Sequence, residues 1–201
     1  MKKLVSLLLA CAMLLCLTAC GAKDQDEGNS TPPAATEPLV SDGAPETALA
    51  LLEAVWATYS EDEQFPSAGG DFSEGNSTMG APGKFEDKNE FDNTLAVPSN
   101  VVSMIQDAAS LVHMMNANTF TCGAFKTASS EDAEALSSAV MDNVMGRQWI
   151  CGFPDKLVII QVGNYVISAF GSEDLIDTFA AKVQGVYGSA KVVVDEAINV
   201  G

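Results

Sequence analysis

From Pro45 to about Tyr59, the apolar residues Leu49, Leu52, Val55, Trp56 and Tyr59 recur at mixed spacings of three and four, with a proline in the first turn. This spacing predicts an amphipathic helix. Val101, Ile105, Ala108, Val112 and Met115 form a second stripe, flanked by Met104 and Leu111. With Asn100 as N-cap, they predict a helix to about Met115 that packs inward. The remaining pattern alternates. Residues 119–126 read as a strand, and 131–148 as a helix behind Ser129 or Ser130. Residues 157–162 and 165–170 read as strands around Gly163-Asn164, a two-residue hairpin signal. A helix over 173–185 behind Ser172 and a short final strand over 191–194 complete the series.

The order β-α-β-β-α, completed by the final short strand, predicts an α+β domain with a ferredoxin-like split βαβ core over 116–201. An internal echo supports it. Ala124-Phe125 leads to Ser130-Glu131-Asp132, and Ala169-Phe170 leads to Ser172-Glu173-Asp174. Two N-terminal helices precede this core in a single domain over 45–201. Between those helices, 60–99 holds nine acids, two bases and repeated Gly and Pro, and predicts a long acidic loop. Phe65, Phe72, Phe85 and Phe91 are placed to pin parts of that loop to the domain.

Residues 1–19 read as a secretory signal peptide: a basic Met1-Lys2-Lys3 start, an apolar run from Leu4 to Leu17, and small residues before a cysteine. Leu17-Thr-Ala-Cys20-Gly21 fits the lipobox of bacterial lipoproteins, which implies that Cys20 is lipidated and becomes the mature N-terminus. Two acyl chains anchor stably where one is marginal. Residues 20–44 are rich in polar residues and proline and poor in branched apolar ones, and predict a disordered tether. The expected setting is extracytoplasmic, on the membrane but not through it.

Charge narrows the partners. The 201 residues carry 10 Lys+Arg and 27 Asp+Glu, and loss of Lys2 and Lys3 leaves 8 bases, a net charge near −19. Nucleic-acid binding needs lysine and arginine to displace phosphate counterions, so it is excluded as a function class.

Candidate chemistry is sparse. Once Cys11 and Cys16 leave and Cys20 is lipidated, Cys122 and Cys151 remain. The predicted fold brings both to one end of the core. A structural disulfide, two buried free thiols and thiol-redox chemistry are the three readings, and no CxxC motif favours the last. His113 is the only histidine and lies on the flank of its predicted helix, beside the apolar stripe, so a two-histidine zinc site is ruled out. No G-x-S-x-G elbow or phosphate-binding glycine loop is present. The acids Glu61-Asp62-Glu63, Asp71, Glu74 and 86–92 could offer oxygens to Ca²⁺, without the spacing of an EF-hand. Arg147 and Trp149, with Phe153 close behind, would pack at a helix end or form a partner-binding patch, since arginine and aromatic residues dominate interface hot spots.

The stretches 116–125, 147–157 and 162–171 resemble a family of small Gram-positive surface lipoproteins built on an uncharacterised domain, over about 101–187. Some of its members are labelled bacteriocin transport accessory protein. The resemblance implies surface localisation and fold but supplies no catalytic residues. The expectation is a non-enzymatic, lipid-anchored protein without cofactor or metal. It would act through contacts with an envelope or transporter protein. Small-ligand or Ca²⁺ binding by the acidic loop, and thiol-redox work by Cys122 and Cys151, are the alternatives.

Overall fold

The computed structural model describes Gly43, residues 45–150 and residues 152–198, all within one unit, Glu37–Gly201. The signal peptide, Cys20 and nearly all of the tether lie outside the described residues. So does Cys151.

The fold is α+β, built on an eight-stranded sheet whose strand pairs are all antiparallel. Its elements run α1 (Ala48–Trp56), β1 (Ser67–Gly70), β2 (Ser77–Met79), β3 (Gly83–Lys84), α2 (Phe91–Leu95), β4 (Ile105–His113) and β5 (Phe120–Thr127). Then come α3 (Ser130–Gly146), β6 (Lys156–Val162), β7 (Tyr165–Gly171), α4 (Glu173–Val186) and β8 (Lys191–Ala197). The strand order is β2-β1-β4-β5-β7-β6-β8, with β3 also paired to β4.

The central strands feed a core on each face. Phe120, Cys122 and Ala124 of β5 point to the side covered by α1 and α4, as do Tyr165, Ile167 and Ala169 of β7. Phe125, Val166 and Phe170 point the other way, under α2 and α3. This is the period of two imposed by a pleated strand.

The helix predicted over 100–115 is instead a short 3₁₀ turn, Val102–Met104, followed by β4. Residues 108–112 are all buried, with Ala109 and Leu111 in one core and Ala108 in the other. A strand covered on both sides reads as a near-continuous apolar run, and periodicity alone cannot tell such a run from a buried helix. Met115, expected to point inward, is 77% exposed beyond the strand end.

The acidic loop is a correction too, because 60–99 contains β1, β2, β3 and α2. Phe85 and Phe91 are buried and Phe65 half-buried, as pinning requires; Phe72 is exposed. β1 and β3 share one edge of β4. β1 pairs at Val112 and His113, and β3 takes over at Ala109 and Ser110. At the hand-over a Cβ on Gly69 would lie 2.0 Å from the Gly83 nitrogen, so the two backbones meet where neither can carry a side chain. The buried Ser110 Oγ accepts from Gly70 N (2.9 Å) and donates to Gly70 O (2.8 Å), satisfying the backbone where the β1–β4 ladder ends.

Residues 120–197 have the predicted β-α-β-β-α-β order, and the final strand is present, but the ferredoxin-like strand order is absent. In a split βαβ core the last strand lies beside the first. Here β4 takes that place, and β8 pairs with β6. Both crossovers, β5-α3-β6 and β7-α4-β8, therefore step in the same direction along the sheet from strands running in opposite directions. Crossovers sharing one hand must then put their helices on opposite faces, where α3 and α4 are found.

The Gly83 crossing can be tested directly. Gly83→Ala would place a Cβ 2.5 Å from backbone atoms of Gly69 and Gly70, and is expected to cost about 3 kcal/mol in urea unfolding. Gly146→Ala meets nothing within 4 Å and is expected to raise stability by roughly 0.5 kcal/mol.

Candidate functional site

The two ends of the sheet differ. At one end the chain enters the domain: Tyr165 Oη donates to Pro45 O (2.9 Å), Lys126 Nζ to Glu46 O (3.1 Å), and Ala48 N to the Asp107 carboxylate (2.7 Å). The tip of the β6–β7 hairpin closes the same end, where Asn164 Nδ2 donates to Thr127 O (2.7 Å) and Asn164 O accepts from Thr127 N (2.9 Å).

At the other end, two loops meet. The β4–β5 loop contains Met114 to Thr119 and the α3–β6 loop contains Arg147 to Asp155. Asn118 Nδ2 joins them by donating to Gly152 O (2.9 Å) and Ile150 O (3.3 Å). Exposed on these loops are Met114 (49%), Met115 (77%), Ile150 (78%) and Phe153 (59%). Four large apolar side chains thus stand in solvent on two loops bonded to each other.

The footing beneath is aromatic. Phe65 packs within 5.6 Å of the rings of Trp56, His113 and Phe120, and Phe120 meets Phe179 at 5.5 Å. His113, at the end of β4, stacks on Phe65, and its Nδ1 accepts from Met115 N (3.3 Å) and Asn116 N (3.4 Å). The only histidine thus shapes the loop that presents the methionines.

Of the three predicted partner-binding residues, Phe153 alone turns its side chain outward. Arg147 donates to the Asp92 carboxylate and carbonyl and lies over the Trp149 ring at 5.7 Å. Trp149 packs on Phe170 at 5.2 Å, so Arg147 and Trp149 brace the loop that carries Ile150 and Phe153. Met114, Met115, Ile150 and Asn118 were missed as site residues. The adjacent methionines ahead of Asn116-Ala-Asn118 are the available signal, but Met115 fits the predicted helical stripe and Met114 falls outside it.

Cys122 is fully buried under α1 and α4 with a free thiol. Burial pushes that thiol up, so it stays protonated at neutral pH and is a poor nucleophile. Cys151, the other half of the candidate disulfide, lies outside the described residues.

The acids of 60–99 form no shared ligand set. Among the described residues, no three His, Cys, Asp or Glu side chains are grouped to hold a metal ion. Asp71 is 5% exposed and turned inward. Its carboxylate accepts from Ser73 Oγ (2.5 Å), Ser73 N (3.0 Å), Asn76 Nδ2 (2.7 Å), Glu86 N (3.0 Å) and Asp87 N (2.9 Å). Burial opposes its charge, but hydrogen bonds from Ser73 and from the amides of Glu86 and Asp87 outweigh that cost and hold the carboxyl well below the usual range.

Compared with protein-family models, curated proteins and solved structures, the chain finds no match. Among the described residues, no helix is long and apolar enough to cross a membrane.

Two substitutions test these assignments. Because the Asp71 carboxyl is depressed in the fold, its stabilisation is complete above the ordinary carboxylate pKa of about 4 and is given up as pH falls below it. Asp71→Asn is expected to cost about 2 kcal/mol at neutral pH and progressively less in acid. A urea-midpoint difference that stays constant into acid would contradict this. His113→Phe keeps a ring against Phe65 but loses the acceptor, and is expected to speed amide exchange at Met115 and Asn116 at a global cost of about 1 kcal/mol.

Proposed function

We propose that this protein is a lipid-anchored, extracytoplasmic lipoprotein that acts by protein contacts, as a non-catalytic transport or envelope accessory. The carrying observation is the exposure of Met114, Met115, Ile150 and Phe153 on two mutually bonded loops, at the end of the sheet opposite the Pro45 attachment. β5 runs from one end to the other, and its eight residues span roughly 25 Å. The lipobox, and the resemblance of 101–187 to surface lipoproteins of an uncharacterised domain, support the same reading.

The alternatives have less behind them. Asp71 is consumed by internal hydrogen bonds, which weakens the acidic loop as a ligand site, and the buried Cys122 weakens a redox role.

The test is photocrosslinking in cells from position 153 and position 115, followed by purification of the full-length protein from native membranes and mass spectrometry. A reproducible envelope or transporter protein is expected from both positions and not from position 131 at the other end. Ile150→Asp with Phe153→Asp is expected to reduce its recovery about tenfold or more, with thermal stability kept. No specific crosslink from either loop, or saturable turnover of a substrate by the protein that a point substitution abolishes, would overturn the proposal.

A further inference from the structure

The electrostatics around the two-loop surface specify the chemistry of what covers it. Asp155 closes the α3–β6 loop, and Glu173 and Asp174 open α4. Ser172 N donates to Thr119 O (2.9 Å) and Asp155 N to Gly171 O (2.8 Å), so these acids sit beside the two loops. All three are exposed. The cations of this region are already engaged: Arg147 by Asp92, and Lys156 by Asp177 (2.6 Å) and Asp195 (2.8 Å). An apolar centre with an uncompensated acidic rim remains.

We infer that this end of the sheet receives a cationic amphipathic segment of a protein partner, whose apolar side chains cover Met115, Ile150 and Phe153 while its lysines or arginines meet Asp155, Glu173 and Asp174. The inference rests on the contact reading above and adds the partner's chemical class. Complementary charge at the rim of an apolar contact speeds encounter and fixes register. The same rim disfavours other occupants. A second copy would bring its own acids against these, and an anionic lipid surface would be repelled.

The test uses the full-length protein in neutral detergent, immobilised beside a detergent-only reference surface. Two eighteen-residue amphipathic peptides serve as probes, with the same leucine and tryptophan face and a polar face of lysine in one and glutamate in the other. The lysine peptide is expected to bind and to weaken with salt, and the glutamate peptide is expected not to bind. Neutralising the rim with Asp155→Asn, Glu173→Gln and Asp174→Asn is expected to slow association about tenfold. Ile150→Asp with Phe153→Asp is expected to abolish binding, and neutralising Glu46, Glu131 and Glu134 at the other end is expected to leave it unchanged.

Equal binding of both peptides, or equal loss from the remote neutralisation, would overturn the inference as nonspecific attraction to an acidic protein. Crosslinks from positions 115 and 153 to a partner segment without basic residues would overturn it while leaving the contact function intact. Absence of any crosslinked partner would remove the contact function itself.

Discussion

Burial of the central sheet on both faces is the constraint on which the rest of the structure depends. β5 and β7 lie in the middle, and each sends alternate side chains into two separate cores. A strand in that position has no solvent face, so helices are required above and below it. Two of those helices are supplied by the crossovers from β5 to β6 and from β7 to β8, which land on opposite faces because their starting strands run antiparallel. α1 and α2 complete the cover over β4 and β5, beside the crossover helices.

The β4 edge is where two strands meet on one partner. β1 and β3 compete for it, and the exchange takes place at Gly69 and Gly83, where backbones approach too closely for any Cβ. Ser110 satisfies Gly70 at the break, and Asp71 gathers the backbone amides of Ser73, Glu86 and Asp87 that have left the ladder. A buried carboxylate is costly unless hydrogen bonds replace its water, and here five donors do so. Acidic composition in this stretch thus conceals one structural acid among many solvated ones.

The two ends of the sheet are built differently. One end is occupied by the junction with the N-terminal segment and by the hairpin tip at Asn164. The other carries loops braced by the aromatic cluster around Phe65 and by the tilted packing of Trp149 against Phe170. Arg147 and Trp149 stiffen that surface from beneath, while Ile150 and Phe153 form it.

Local signals determined the elements of the C-terminal half. Ser129 accepts from Asp132 N as an N-cap, Gly163 takes the positive φ of a two-residue hairpin, and α3, β6, β7, α4 and β8 fall close to their expected bounds. Caps, tight turns and period-two or period-3.6 patterns arise between residues near in sequence, so they can be read there. Tertiary structure decided what depends on distant partners. β4 is a strand because α1 and the Phe85-Phe91 cluster cover it from opposite sides, a fact absent from its own periodicity. β8 chose β6 over β5 because β4 had already filled the edge of β5. Phe153 stood out in the sequence only as an aromatic residue close behind Arg147 and Trp149; its exposure, like that of Met114, Met115 and Ile150, is set by the fold, where Asn118 joins two loops more than thirty residues apart.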